Sequence, residues 1–337
     1  MSGAKRLLVI NTGGTLGMDP RKTAPLGPSA LADQVLRFIP EARELADIEM
    51  KVLFNQDSAN VQPAHWEAIA GCIAEAMDRY DGFVVVHGTD TMAYTAAALS
   101  FMLVNLPRPV ILTGAQRPIA SIRTDAKSNL VNALELATRD IPEVGLFFAH
   151  RLLRGNRAHK VSIDDFNAFA SPNYPALAEV GLRVEVRDEL VRRPTGLFNL
   201  QRGFCDKVLI VRLFPGLRPE FLMPLLEADL HAVVIEAHGA GTVPVADRSL
   251  IPFIDAATRR GKLVALASQA LAGTVEPALY DAGRQALDAG AISCGDMTPA
   301  AAAVKMMFLL SQYAEDTGKV ARVFGQSIAG ESGPPGR

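Results

Sequence analysis

Short apolar runs that break off into glycines, hydroxyls and carboxylates recur along this chain, and they constrain its fold more than any other feature. The clearest is Phe83–Thr91, FVVVHGTDT. Phe83 to Val86 are aromatic or β-branched, which suits a short strand buried on both faces. His87 and Gly88 break the run. Thr89, Asp90 and Thr91 then place two hydroxyls and a carboxylate where the strand ends, and a helical run rich in Ala and Leu, Met92–Val104, follows. In open α/β sheets ligands sit beyond the carboxyl ends of strands, so polar side chains massed there point to a site. A plainer reading stands beside it: Asp90 or Thr91 caps the helix and does no more.

Other runs repeat the pattern. Leu7–Asn11 ends in Thr12-Gly13-Gly14-Thr15-Leu16-Gly17, where glycine permits backbone conformations and close approaches denied to other residues. Glu49–Phe54 ends in Asn55-Gln56-Asp57-Ser58-Ala59-Asn60, and Pro109–Leu112 ends in Thr113-Gly114-Ala115-Gln116-Arg117-Pro118. Between them lie helical stretches. Pro63 opens one to about Tyr80, with Trp66, Ile69, Ile73 and Met77 on one stripe. Asp125 opens another to about Arg139, and Ser29 a third to about Phe38. Met18–Pro28, with three prolines, reads as a candidate lid. Val144–Ala149 is expected as a strand and Arg151–Lys160 as a basic loop.

The chain has 337 residues, enough for about two domains. Arg183–Arg202 is charged and has no long apolar run. A first domain is therefore expected over residues 1–190, a linker over 191–206 and a second domain over 207–337. The second domain alternates strands at Lys207–Leu213, Ala232–Ala237 and Leu263–Ala267 with helices near Glu220–Ala228, Ser249–Arg259, Leu279–Ala289 and Pro299–Ala314. Such alternation implies mostly parallel sheets in an α/β protein.

A net charge of −2 offers no basic footprint for nucleic acid. The apolar runs are too short or too interrupted to span a membrane. The first ten residues lack a signal-peptide core, so the cytoplasm is expected. Cys72, Cys205 and Cys294 are isolated and are expected to be reduced, small packing residues.

Several kinds of chemistry lack their motifs. TGGTLG follows a strand, and Asp33 stands near the spacing of a ribose-binding acid, but Pro20 and Pro25 come where a dinucleotide fold needs a helix. There is no phosphate loop, no Gly-x-Ser-x-Gly elbow, no His-Glu-x-x-His and no Cys-x-x-Cys. His87 and His238 each precede a glycine and are expected to be packed and hydrogen-bonded rather than to bind metal. What remains is a set of hydroxyls at strand ends: Thr12, Thr15, Ser58, Thr89 and Thr113. A threonine nucleophile needs a base. Asp90 is poorly suited to deprotonate a hydroxyl directly, whereas a lysine held neutral by burial and oriented by a carboxylate is suited to it. Lys160 is a candidate, against the alternative of a solvated surface lysine.

Taken together, INTGGTLG, HGTDTMAYTAAALSFML, ILTGAQRP and DAKSNLVNAL resemble the type I, bacterial-cytoplasmic branch of the threonine-dependent L-asparaginases. The likeness continues through RGNRAHKVSIDDFNAFASPN and HGAGTVP to the last helix, so it covers essentially the whole chain. It implies a larger amino-terminal, flavodoxin-like domain with a mostly parallel sheet and a smaller carboxy-terminal α/β domain. It implies subunits paired around the active sites, as a homodimer or homotetramer. The implied reaction is hydrolysis of L-asparagine, a small-molecule substrate, to L-aspartate and ammonia, with weaker action on L-glutamine and no cofactor. In that reading Thr12 is the nucleophile, and Thr89, Asp90 and Lys160 form a proton-handling triad. Ser58 and Asp90 hold the α-carboxylate and α-amine. Backbone around Gly88–Thr89 and Ala115 binds the amide or the developing oxyanion, and Gly13, Thr15, Asp57 and Ala59 line the substrate.

One position departs from the family pattern. Members usually carry a tyrosine in the flexible loop after TGGT, whereas Met18–Pro28 has none and Ala24–Leu26 takes its place. Proton transfer at Thr12 then uses another group, or activity is reduced. Two further readings follow. One is a non-enzymatic amino-acid sensor. The other is the glutamine-hydrolysing subunit of a tRNA-dependent amidotransferase, whose extra amino-terminal domain is not expected here because Thr12 stands so near the start.

Overall fold

The computed structural model describes residues 4–17, 39–40, 42–313 and 316–333. The expected lid at Met18–Pro28 and the helix from Ser29 lie outside the described residues. The chain divides into two compact units, Met1–Arg202 and Gly203–Arg337, each with its own sheet.

In the first unit β1 (Arg6–Gly13), β2 (Asp47–Gln56), β3 (Gly82–Val86), β4 (Val110–Thr113) and β5 (Val144–Phe148) run parallel in the order β2-β1-β3-β4-β5. That is the flavodoxin-like order, in which β1 and β3 flank the point where the strand order reverses. Helices α1 (Pro63–Ala76), α2 (Met92–Met102) and α3 (Ala126–Ala137) connect them. The expected stripe of α1 is buried at Trp66, Ile69, Ile73 and Met77, and Pro63 opens the helix. Strand β3 is buried at every position because it lies in the middle of the sheet.

Beyond β5 the sheet continues antiparallel through β6 (Arg151–Arg154), β7 (Ala178–Val180) and β8 (Val184–Val186). Part of the stretch read as a basic loop is therefore a strand. Arg154 is tolerated inside because Glu143 accepts from its Nε (2.7 Å) and Nη2 (3.0 Å), and Tyr174 stacks beneath it at 4.3 Å. Residues read as a linker also pack on this unit. Val191 is buried, the Arg192 N–H donates to Glu143, and Asn199–Leu200 pairs with Leu103–Val104.

The second unit has a parallel sheet in the order β9 (Val208–Arg212), β10 (Ala232–Ala237), β11 (Leu263–Ser268) and β12 (Ile292–Ser293). Its helices are α4 (Ile251–Arg259), α5 (Asp281–Asp288), α6 (Pro299–Gln312) and α7 (Thr317–Phe324). The expected helix at Glu220–Ala228 is instead a pair of short 3-10 turns, Pro219–Phe221 and Met223–Leu226. Pro224 in mid-segment has no N–H to donate and blocks a continuous α-helix. Thr298 caps α6 by accepting from Ala301 N at 3.2 Å. Burial pushes the Cys294 thiol up to about 12, so it stays neutral. Cys72 is buried too, whereas Cys205 is half-buried.

Midway along α6, Lys305 is fully buried. Its ammonium donates to the backbone oxygens of Phe324 (2.8 Å) and Gln326 (2.5 Å) and to Glu331 Oε1 (2.5 Å), and Glu331 is also fully buried. Desolvation pulls the lysine below its usual range, and Glu331 opposes it. This group ties the segment after α7 back onto α6. Lys305→Met strands the Glu331 carboxylate and is expected to cost about 3–5 kcal/mol in urea unfolding. Lys305→Met combined with Glu331→Leu is expected to recover part of that loss. A single variant as stable as the parent contradicts this assignment.

His87 ends β3 without reaching water. Its Nδ1 lies 2.7 Å from Gly88 O and its Nε2 lies 2.9 Å from Thr95 Oγ1, which makes Nδ1–H the donor and Nε2 the acceptor. Burial, with a smaller contribution from His65, lowers its pKa from 6.5 to about 4. The unfolded imidazole takes up a proton below 6.5 while the folded one resists until about 4. Stability is therefore whole above pH 6.5 and falls as the pH drops through that window. The depression corresponds to about 3 kcal/mol from this group. Urea midpoints of the parent should decline from pH 6.5 to 4 more steeply than those of His87→Gln, and equal slopes contradict a buried neutral His87.

Candidate active site

Three strand ends meet through their backbones. Gly13 has φ +109°, and a Cβ there would lie 2.3 Å from Gln56 O at the end of β2. Gly14 has φ +88°, and a Cβ there would lie 2.6 Å from the Gly88 Cα after β3. A Cβ on Gly88 would in turn lie 2.6 Å from Ser58 Oγ. The glycines of TGGT and HGTDT are thus required by contact between loops, and a side chain at any of them separates the strand ends.

Onto this junction the chain places hydroxyls. Ser58 is buried in a 3-10 turn, Ser58–Asn60, that Asp57 caps by accepting from Ala59 N at 2.9 Å. Ser58 Oγ accepts from Asp90 N (3.3 Å), and Ser58 O accepts from Thr91 Oγ1 (2.7 Å). Thr91 stands at the N-cap of α2 but makes no side-chain cap bond there. The capping alternative for this strand end is therefore not what is found: Thr91 braces the β2 loop instead.

Thr12 is 2% exposed, and its Oγ1 donates to Val86 O at 2.8 Å, across from β1 to β3. Thr15 opens the 3-10 turn Thr15–Gly17 and is half-buried. Ala115 is buried beyond the end of β4. Thr113 does not join the other hydroxyls. It is fully buried, and its Oγ1 donates to Phe147 O at 3.0 Å inside the sheet.

Lys160 arrives from far along the chain. It lies on a small hairpin in which His159–Lys160 pairs with Phe169–Ala170. Its Nζ donates to Thr89 Oγ1 at 2.8 Å and to Asp90 Oδ1 at 2.6 Å. The lysine side chain is 17% exposed and Asp90 is 63% exposed, so water screens one side of the pair and it contributes little to stability. What it supplies is placement: an ammonium, a hydroxyl and a carboxylate within hydrogen-bond reach, next to the strand that carries Thr12. The surface-lysine alternative does not describe this residue.

Gln116 had only its place in ILTGAQRP to mark it, yet its side chain touches Thr89 and the Lys160 hairpin. Asp125 does not cap α3 through its side chain. It accepts from the N–H groups of Gln116 (2.9 Å) and Arg117 (3.1 Å) and so fixes the bend after β4. Among the described residues no cluster of His, Cys, Asp and Glu is arranged to hold a metal ion.

Comparison with known proteins gives this geometry its context. Residues 6–192 match the family model "Asparaginase, N-terminal", and residues 207–324 match "Glutaminase/Asparaginase C-terminal domain". The chain is 39% identical over 332 residues to an L-asparaginase of Thermococcus kodakarensis, covering 97% of this chain and 98% of that protein. It is 36% identical over 335 residues to L-asparaginase 1 of Escherichia coli, covering 98% of each. The solved structure of the Thermococcus enzyme superposes with a TM-score of 0.91 over 98% of this chain and 99% of that one. L-asparaginase I of Vibrio cholerae, 38% identical, gives 0.90 over 98% and 100%. Matched in both halves and along nearly its whole length, the chain belongs to the asparaginase family.

Proposed function

We propose that the protein hydrolyses L-asparagine to L-aspartate and ammonia, with Thr12 as nucleophile and slower action on L-glutamine. The observation that carries this reading is the position of Lys160 Nζ, 2.8 Å from Thr89 and 2.6 Å from Asp90. Family membership supports the substrate class.

In this reading the substrate lies over the junction of β1, β2 and β3. Ser58 and Asp90 hold its α-carboxylate and α-amine. Gly13, Thr15, Asp57 and Ala59 border it. The amide oxygen faces backbone N–H groups near Gly88–Thr89 and Ala115. Donors aimed at a developing oxyanion contribute about 3–4 kcal/mol each in comparable sites.

Attack requires the Thr12 hydroxyl to leave Val86 O and turn to the amide carbon. The Oγ–C bond forms, and the hydroxyl proton passes toward Thr89 and a Lys160 that has shed its own proton. Asp90 keeps that amine in line. The tetrahedral carbon collapses, the C–N bond breaks, and the nitrogen leaves as ammonia with the proton returned to it. An aspartyl ester on Thr12 remains. Water adds to the same carbon with the same base assisting, and the ester C–O bond breaks to release L-aspartate and restore Thr12. Both steps use one base twice. The working form is a homodimer or homotetramer with its active sites beside the contacts between subunits.

Ammonia release from a panel of amino-acid amides tests this directly. L-Asparagine should be fastest and L-glutamine slower, and Thr12→Ala should fall to background. No amide turned over above the Thr12→Ala background overturns the reading.

Lys160→Met keeps the stem's volume and removes the base. It is expected to lower kcat by about 10²–10⁴-fold, with a smaller change in KM. Near-normal kcat removes Lys160 from the mechanism and leaves Thr12 standing.

A further inference from the structure

Gln116 has no role in the reaction as set out above, yet its side chain joins two pieces of the molecule that carry proton-handling groups. Its Nε2 donates to the backbone oxygens of Ile163 (3.1 Å) and Asp165 (3.3 Å), both in the hairpin that begins at Lys160. Its Oε1 faces Thr89 Oγ1 at 3.4 Å.

The orientation of this amide is dictated by its partners. Two carbonyl oxygens only accept, so the –NH₂ end must face them. The oxygen end is then turned to Thr89, and it too only accepts. Lys160 reaches the same hydroxyl at 2.8 Å, and as an ammonium it only donates. Thr89 therefore spends its single proton on Gln116 and offers its lone pair to Lys160. The 3.4 Å separation makes the Thr89–Gln116 bond a weak one. It is strong enough to bias the rotor and weak enough to give way when a better acceptor appears.

The bend that carries Gln116 is itself pinned. Gln116 N and Arg117 N donate to the two oxygens of Asp125. Asn129 Nδ2 donates to Asp125 Oδ2 (3.1 Å) and to Gly114 O (3.0 Å), and Asn129 Oδ1 accepts from Ala149 N (3.0 Å). Asp125 and Asn129 are both buried, so moving the bend strips a buried carboxylate of its donors.

We propose that Gln116 is a positioning residue that sets the direction of hydrogen bonding at Thr89 and holds the Lys160 hairpin against it. The proposal rests on the reading of Thr89 and Lys160 given above. With Lys160 charged, Thr89 points its proton at Gln116. When Lys160 is neutral its nitrogen becomes the stronger acceptor, and the Thr89 proton swings from Gln116 to Lys160 without any backbone movement. Among the described residues Asp90 is the charged group in contact with Lys160. Asp164 and Asp165 lie farther along the hairpin, where the Asp165 carboxylate accepts from Asn167 N at 2.9 Å.

The test compares Gln116→Met and Gln116→Glu with the parent in kcat, KM and thermal midpoint. Gln116→Met keeps the length and loses every polar contact. It is expected to lower kcat about tenfold or more, with KM changed less than about threefold. Gln116→Glu sets a second carboxylate near the ammonium and faces the Ile163 and Asp165 carbonyls with an acceptor. The contact to the hairpin is lost in this variant too, so kcat is expected to fall at least as far as in Gln116→Met, again with KM changed less. Parental kcat in both variants overturns the proposal. If Gln116→Met fails to fold, the fall in kcat against KM in Gln116→Glu decides alone, with kcat taken per folded enzyme. A parent that releases no ammonia from L-asparagine overturns the underlying reading of the site instead.

Discussion

The constraint at the centre of the candidate site is the contact between Gly14 and Gly88, where a single added Cβ would come within 2.6 Å of the opposing backbone. Everything at the candidate site depends on it. Parallel pairing of β1 and β3 in register from Leu7↔Gly82 to Asn11↔Val86 delivers Thr12 and the HGTDT turn side by side. The glycines then let the two turns close on each other and on Ser58. Such a junction lets functional groups from separate strands share one small volume while the strands themselves stay in an apolar core. Any side chain at Gly14 or Gly88 would hold the groups apart, whatever it did to their chemistry.

Lys160 completes the cluster from a different direction. Its hairpin is tied to the strand ends at three points: the ammonium on Thr89, the same ammonium on Asp90, and Gln116 on the Ile163 and Asp165 oxygens. Thr12, by contrast, rests with its hydroxyl on Val86 O. The resting arrangement thus keeps a hydroxyl engaged with the sheet apart from an amine engaged with Thr89 and Asp90. In the proposed reaction Thr12 has to turn away from Val86 O before it can attack.

The junction was legible in the sequence because its signals are local. A β-branched run followed within a few residues by glycines and hydroxyls marks a strand end wherever it occurs, and Thr12, Ser58, Thr89 and Asp90 all carry that mark. Thr113 carried it too, but every position of β4 is buried, so no alternation shows where a side chain points, and its hydroxyl turned out to serve Phe147. Lys160 looked like any basic surface residue because its partners lie about seventy positions away. Arg154 disguised a strand for a similar reason: only Glu143, brought beside it by the sheet, makes an interior arginine tolerable. Asp125 shows in the sequence only as the start of a helix and Gln116 only as part of ILTGAQRP, because what matters about them is which oxygen faces which donor.

The most direct test of the central claim, that Thr12 carries the acyl group, is mass spectrometry of the protein quenched in acid during steady turnover of L-asparagine. An aspartyl ester is expected on the peptide containing Thr12 and is expected to be absent from Thr12→Ala. An ester on Thr89, or ammonia released with no ester on any residue, contradicts it.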